Sequence, residues 1–172
     1  MSEVLEKMQT RRSIRRYKSD MLPKDVIEKV VEAGTFAASG MNLQTPVIVA
    51  VTNKEIRDKM AKANAKVMGS DNDPFYGAPV VLVVLAEKKG TYVYDGSLVM
   101  GNLMLAAHEL GIGSCWIHRA KEVFEQEEWK QWLKALGLNG EYEGIGNCVL
   151  GYAEDEYPGV LPRKENRVYF VE

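Results

Sequence analysis

Histidine and cysteine are scarce: the 172-residue chain has two of each, His108 and His118, Cys115 and Cys148. Neither histidine has a partner at ligand spacing and no HExxH occurs, so no metal site is expected. Two distant cysteines make neither a disulfide framework nor a CxxC pair, which fits a reducing, cytoplasmic setting. No apolar run approaches the ~18 residues of a bilayer span. The start, Met1-Ser2-Glu3-Val4-Leu5-Glu6-Lys7, mixes acids and bases where an export signal has a continuous apolar core. Neither export nor a membrane is expected. Charge of one sign is lacking too: 22 Lys and Arg against 24 Asp and Glu leave −2, no basis for nucleic-acid binding. GxSxG and Walker A phrases are absent, and Gly111-x-Gly113 and Gly144-x-Gly146 lack the third glycine of a dinucleotide fingerprint. An enzyme with so little side-chain chemistry needs a cofactor to carry the reaction.

The length suits a single domain over residues 1–172. Glu3 to Gln9 suits one or two helical turns, and the β-branched, arginine-rich Thr10 to Lys18 suits extended chain. Pro23 opens a helix whose apolar face is Val26, Ile27, Val30, Val31 and Gly34. Val47 to Val51 and Pro79 to Ala86 read as strands, the second central because it is nearly all Val and Leu. Lys54 to Lys66 reads as a surface helix. From Asp95 to Leu110 apolar residues go all round the helical wheel, so that helix is expected to be buried on every side, inside the domain or between subunits. Asp95 or Ser97 is the expected cap and Gly111 the end. Gly113 to Ile117 and Gly144 to Tyr152 read as strands, with the two Gly-Ile-Gly phrases as their entries. Lys121 to Leu136 reads as one amphipathic helix, and Val168 to Val171 as a last strand.

The positive charge is concentrated: Arg11, Arg12, Arg15, Arg16 and Lys18 crowd together with no acid among them. In extended chain Arg11, Ser13 and Arg15 share a face and span about 13 Å. That matches a ligand with a phosphate at the Arg11–Ser13 end and a polar ring at Arg15, guanidinium being a good bidentate partner for phosphate. A solvated basic loop is the competing reading. The loop Ser39-Gly40-Met41-Asn42-Leu43-Gln44 offers amides able to donate and accept to a heterocycle edge, or to satisfy its own backbone.

Arg11-Arg12-Ser13-Ile14-Arg15-Arg16-Tyr17 followed by Ala38-Ser39-Gly40-Met41-Asn42-Leu43-Gln44 resembles the opening of the nitroreductase family of flavoproteins. The likeness continues through Ala78-Pro79-Val80-Val81-Leu82-Val83-Val84, Asn102-Leu103-Met104-Leu105-Ala106-Ala107, Gly111-Ile112-Gly113-Ser114-Cys115-Trp116-Ile117, and Leu150-Gly151-Tyr152 with Pro162-Arg163-Lys164. The resemblance implies an α+β fold with a central, mainly antiparallel sheet flanked by helices. It further implies a homodimer with FMN in two interface pockets, and the C-terminal strand is expected to pair with the partner subunit. By motif, Arg11, Arg12 and Ser13 hold the phosphate and ribityl chain, with Arg163 and Lys164 adding to them. Arg15 approaches N1 and the C2 carbonyl; Ser39, Asn42 and Gln44 line the pocket, partly from the partner; Ile117 and His118 lie near N5.

The implied activity is ping-pong hydride transfer from NADH or NADPH through the flavin to a quinone, nitroaromatic or similar conjugated acceptor, with no catalytic acid or base. A fixed cation at N1, for which Arg15 is the candidate, stabilises the negative charge that reduction places there. Rival readings are a flavin-binding sensor or carrier without efficient turnover, and a flavin-converting or dehalogenating member of the same fold. Three departures bear on the acceptor. Thr45-Pro46 stands where the family often has Pro-Trp, His118-Arg119 replaces small or acidic residues, and Gly90 to Asp95 joins strand to helix without inserted helices. His118 also reads as a strand-end histidine bonded to backbone, Cys115 as core, and Phe75 and Tyr76 as either a substrate cover or core plugs.

Overall fold

A computed structural model describes residues 2–172. In chain order the elements are α1 (Glu3–Thr10), α2 (Lys24–Thr35), β1 (Pro46–Val51), α3 (Lys54–Met68), β2 (Val80–Glu87), α4 (Tyr92–Glu109), β3 (Gly113–Ile117), α5 (Ala120–Phe124), α6 (Glu127–Ala135) and β4 (Tyr142–Gly151). The strands form one sheet in the order β1-β2-β4-β3, with every pairing antiparallel.

The alternation of β2 accounts for two cores. Val81, Val83 and Leu85 face α3, α5 and α6, joined by Phe75, Phe124 and Trp129. Val80, Leu82, Val84 and Ala86 face α2 and α4, joined by Val30, Met100 and Leu103. Both faces of β2 are therefore covered, as its composition requires, and helices flank an antiparallel sheet. Cys115 belongs to the first core and Cys148 to the second, and burial pushes both thiols up, which makes them structural rather than reactive. Phe75 is a fully buried plug, while Tyr76 is exposed with a φ of 54°.

Several expectations need correction. Lys121 to Leu136 is two helices, interrupted at Gln126, whose ψ is 140°. On one continuous helix Phe124 and Trp129 would point about 140° apart. The break turns both into the same core, with ring centroids 5.7 Å apart. The second Gly-Ile-Gly phrase is not a strand entry but lies inside β4, where the pairing shifts between Val84 and Leu85 as a bulge at Ile145. There Gly144 passes so close to α5 that an added Cβ would meet the Ala120 backbone at 2.4 Å. Helix α4 begins a turn earlier than expected, so Asp95 lies inside it and not at its cap. One side of α4 is buried, but Val93, Tyr94 and Leu98, and Leu110 just after it, are exposed in the single chain. Val168 to Val171 forms no strand within this chain and is exposed throughout.

Candidate functional site

The basic segment leaves α1 and crosses the end of the β3–β4 pair. Ser13 bridges Ser114, Ile14 N donates to the Ser114 carbonyl, and Tyr17 bridges Ala153. Ile14 and Tyr17 are buried as anchors, which turns their neighbours outward: Arg11, Arg12 and Ser13 are half-buried and Arg15 exposed. Burial raises the Cys115 thiol, and Arg15, the Ser13 side chain and Arg11 oppose that shift from the basic segment. Arg12 Nη1 donates to the Gln9 carbonyl at 2.8 Å and Nε to the Gly159 carbonyl at 3.2 Å, tying the segment to the C-terminal tail. Arg11 Nη1 and Arg12 Nη2 are buried with no hydrogen-bond partner among the described residues. A buried donor left unmatched is costly, on the order of 1–3 kcal/mol, and two on adjacent arginines point to an anion as the missing acceptor.

The amide loop is a second cluster. Ser39 Oγ accepts from the Gln44 amide at 3.1 Å, and Gln44 Nε2 donates to Asn42 Oδ1 at 2.9 Å. Met41, Asn42 and Gln44 have φ values of 52°, 54° and 49°. Left-handed conformations of this kind outside glycine persist where surrounding contacts impose them, often at ligand sites. Here the contact is Asp95, 3% exposed, whose Oδ1 accepts from Gly40 N at 3.1 Å and from Thr91 Oγ1 at 2.9 Å. Ser39 and Gln44 line a hollow of about 330 Å³ with Val31, Ala37, Pro46 and Val99.

The two clusters are not brought together within one chain. Asp95 holds the amide loop near the start of α4, whereas His108, near its end, contacts Thr10 beside the basic segment. Thirteen residues of α-helix separate them by about 20 Å. Ile117 and His118 lie at the far end of β3, roughly 13 Å from Gly113 along the strand. Ile117 is buried and His118 exposed, its carbonyl accepting from Asn64 Nδ2 at 2.9 Å. Arg163 and Lys164 are exposed on the tail beyond Gly159, and Arg163 donates to the Leu161 carbonyl.

Sequence reasoning missed Asn64, which sits 1% exposed on α3 and sets the position of the His118 turn. The signal available was a carboxamide amid alanines on a helix face that packs inward. It also treated Asp95 as a cap and gave His108 and Tyr157 no role.

The model of the nitroreductase family matches residues 8–152. A relative from Methanothermobacter thermautotrophicus, provisionally named an NADH dehydrogenase/NAD(P)H nitroreductase, is 32% identical over 124 residues, 66% of this chain and 60% of that protein. The chain thus spans less than two thirds of that relative's length. An Archaeoglobus fulgidus relative with the same provisional name is 32% identical over 163 residues, 91% of this chain and 88% of its own. The crystal structure of a nitroreductase with bound FMN from Bacteroides fragilis superposes with a TM-score of 0.88 at 30% identity, covering all of both chains. A second nitroreductase with bound FMN, from Desulfitobacterium hafniense, gives 0.87 at 26% identity, again over all of both chains.

Proposed function

The chain belongs to the nitroreductase family, and on that premise we propose that it is an FMN-dependent oxidoreductase that passes hydride from NADH or NADPH to a small conjugated acceptor such as a quinone or nitroaromatic. The observation that carries this reading is the pair of buried, unmatched guanidinium nitrogens on Arg11 and Arg12. A phosphate dianion, which accepts several charge-assisted hydrogen bonds at once, is the acceptor we assign to them, reached as the side chains turn toward it.

FMN, when bound, supplies the hydride acceptor and donor, so the protein needs no catalytic acid or base of its own. The chain's residues bind and orient. Arg11, Arg12 and Ser13 hold the phosphate end, and Arg163 and Lys164 reach it from the tail that Arg12 tethers at Gly159. Arg15, exposed and unpaired within the described residues, supplies positive charge where reduction builds negative charge. Ile117 provides an apolar wall and His118 a polar one at the far end of β3. Nicotinamide and acceptor use the same place in turn, a ping-pong order.

Ser39, Asn42 and Gln44 join this set from a second copy of the chain. The ~20 Å of α4 between Asp95, which holds the amide loop, and His108, which contacts Thr10, exceeds what one phosphate-to-ring ligand of about 13 Å bridges. A homodimer is further supported by the exposed apolar residues of α4 and by Val4, Leu5 and Met8 on α1. Strand β1 is the open edge of the sheet, and beside it runs a groove of about 720 Å³ lined by Leu22, Ile27, Val31 and Ala50. The partner's Val168 to Val171 segment fits that groove as an added strand.

The test is the visible spectrum of the purified protein before and after anaerobic addition of NADH or NADPH. A yellow protein bleached by either cofactor is expected. Colourless protein that takes up no FMN overturns the reading, and bound flavin that resists both nicotinamides replaces it with a carrier or sensor.

A further inference from the structure

His108 stands near the end of α4, between the end of α1 and the polypeptide leaving β4. Its Nε2 is 2.9 Å from Thr10 Oγ1, and that hydroxyl already donates its single hydrogen to the Glu6 carbonyl at 2.9 Å. Thr10 can therefore only accept from the ring, so Nε2 carries hydrogen and the neutral imidazole presents a bare lone pair at Nδ1. Among the described residues His108 Nδ1 is buried without a partner, and so are Tyr157 Oη, Arg11 Nη1 and Arg12 Nη2. These atoms share one neighbourhood. The rings of His108 and Tyr157 have centroids 5.4 Å apart, Arg11 follows Thr10 directly, and Arg12 is bonded to Gly159 two residues past Tyr157.

We propose that His108 is a positioning residue for a phosphate: by holding Thr10 and packing against Tyr157 it fixes the end of α1 against the tail, and with it the basic segment that begins at Arg11, for one anion. This rests on the FMN reading and extends it, because it assigns residues that touch neither ring nor ribityl chain. The charges around the imidazole come from every element packed on it: Lys7, Arg11 and Arg12 from α1 and the segment after it, and Glu109, paired with Lys7 at 3.3 Å, from α4 itself. Tyr157 faces it from the tail. Burial holds the His108 pKa below its ordinary value, and Lys7, Arg11 and Arg12 lower it further against an opposing Glu109. A bound dianion offsets the arginines, the ring takes up a proton, and Nδ1 becomes a donor. Affinity for a phosphate-bearing ligand then rises as pH falls through the histidine range.

Apoprotein is titrated with FMN, riboflavin and inorganic phosphate in wild type, His108→Ala and His108→Gln. The Gln amide still donates to Thr10 but does not titrate. His108→Ala is expected to weaken FMN about tenfold and riboflavin less than about twofold. His108→Gln keeps wild-type affinity near pH ~8 but lacks the wild-type gain toward pH ~6; the second ionisation of phosphate, pKa about 6, is common to all three proteins. Inorganic phosphate raises the melting temperature of wild type and not of His108→Ala. Equal weakening of FMN and riboflavin, or identical pH profiles for wild type and His108→Gln, overturns the proposal. Wild type that binds phosphate through His108 but takes up no flavin supports it while defeating the FMN reading.

Discussion

Arg12 Nε donates to the carbonyl of Gly159, 147 residues further along the chain and 3.2 Å away. This bond makes the basic segment and the tail one unit, while Arg12 Nη2 and Arg11 Nη1 are each buried without a partner among the described residues. The segment's backbone is thus held before any ligand arrives, which lowers the ordering cost of binding.

Arg11→Ala is expected to lower FMN affinity roughly 10- to 100-fold, because a charge-assisted hydrogen bond contributes about 1.5–3 kcal/mol. Riboflavin affinity should change little. Fluorescence titration of the two ligands gives the comparison, and equal losses would place Arg11 away from the phosphate.

Arg15→Ala is expected to weaken FMN and to lower its two-electron potential, by on the order of 30 mV for each tenfold preference for the reduced form that is lost. Reductive titration against a reference dye measures this. An unchanged potential in flavin-loaded mutant shows that Arg15 does not face the site of reduction charge.

Asp95→Ala removes the shared acceptor of Gly40 and Thr91. A loss of about 1–3 kcal/mol in urea unfolding is expected, together with faster hydrogen exchange over residues 39–44. Asp95→Asn, which keeps an acceptor oxygen, should lose less.

Gly144→Ala drives a methyl group into the Ala120 backbone. Neither side has a flexible end to move, so a cost of about 1–3 kcal/mol or more is expected. A melting temperature several degrees below wild type, read by circular dichroism, is the outcome that checks it.

Acid should destabilise the apoprotein through His108, whose pKa is lowered on folding, chiefly by burial. The unfolded chain then binds more protons than the native one, so stability is fully present above the unfolded histidine pKa and falls as pH drops through it. Urea midpoints between about pH 7.5 and 5 should decline less for His108→Gln than for wild type.

Much of the fold was legible because the strongest patterns are local. The Val and Leu run of β2 has no solvated face, and the period of α2 and the glycines after α3 and α4 mark their own boundaries. What escaped depended on contacts between distant residues. The interruption between α5 and α6 carries neither glycine nor proline; it exists because Phe124 and Trp129 seek one core. The bulge at Ile145 arises from the register against β2, which no single strand encodes. In the candidate site, the extended course of the basic segment could be read locally, and it is held by the Ser13–Ser114 and Tyr17–Ala153 bridges. Asn64, Asp95 and His108 could not be read so, since each matters through a partner 54 or more residues away: Asn64 through the His118 carbonyl, Asp95 through Gly40, and His108 through Thr10. The distance between the basic segment and the amide loop also needed α4 as a ruler.

Tyr169 and Phe170 are 81% and 87% exposed in the single chain, within a segment that has no regular structure. A chymotrypsin-type protease finds both side chains open for as long as nothing covers them. On the proposed pairing with a second copy, cleavage there counts unassociated chains, and its dependence on protein concentration measures the self-association constant with no flavin and no label.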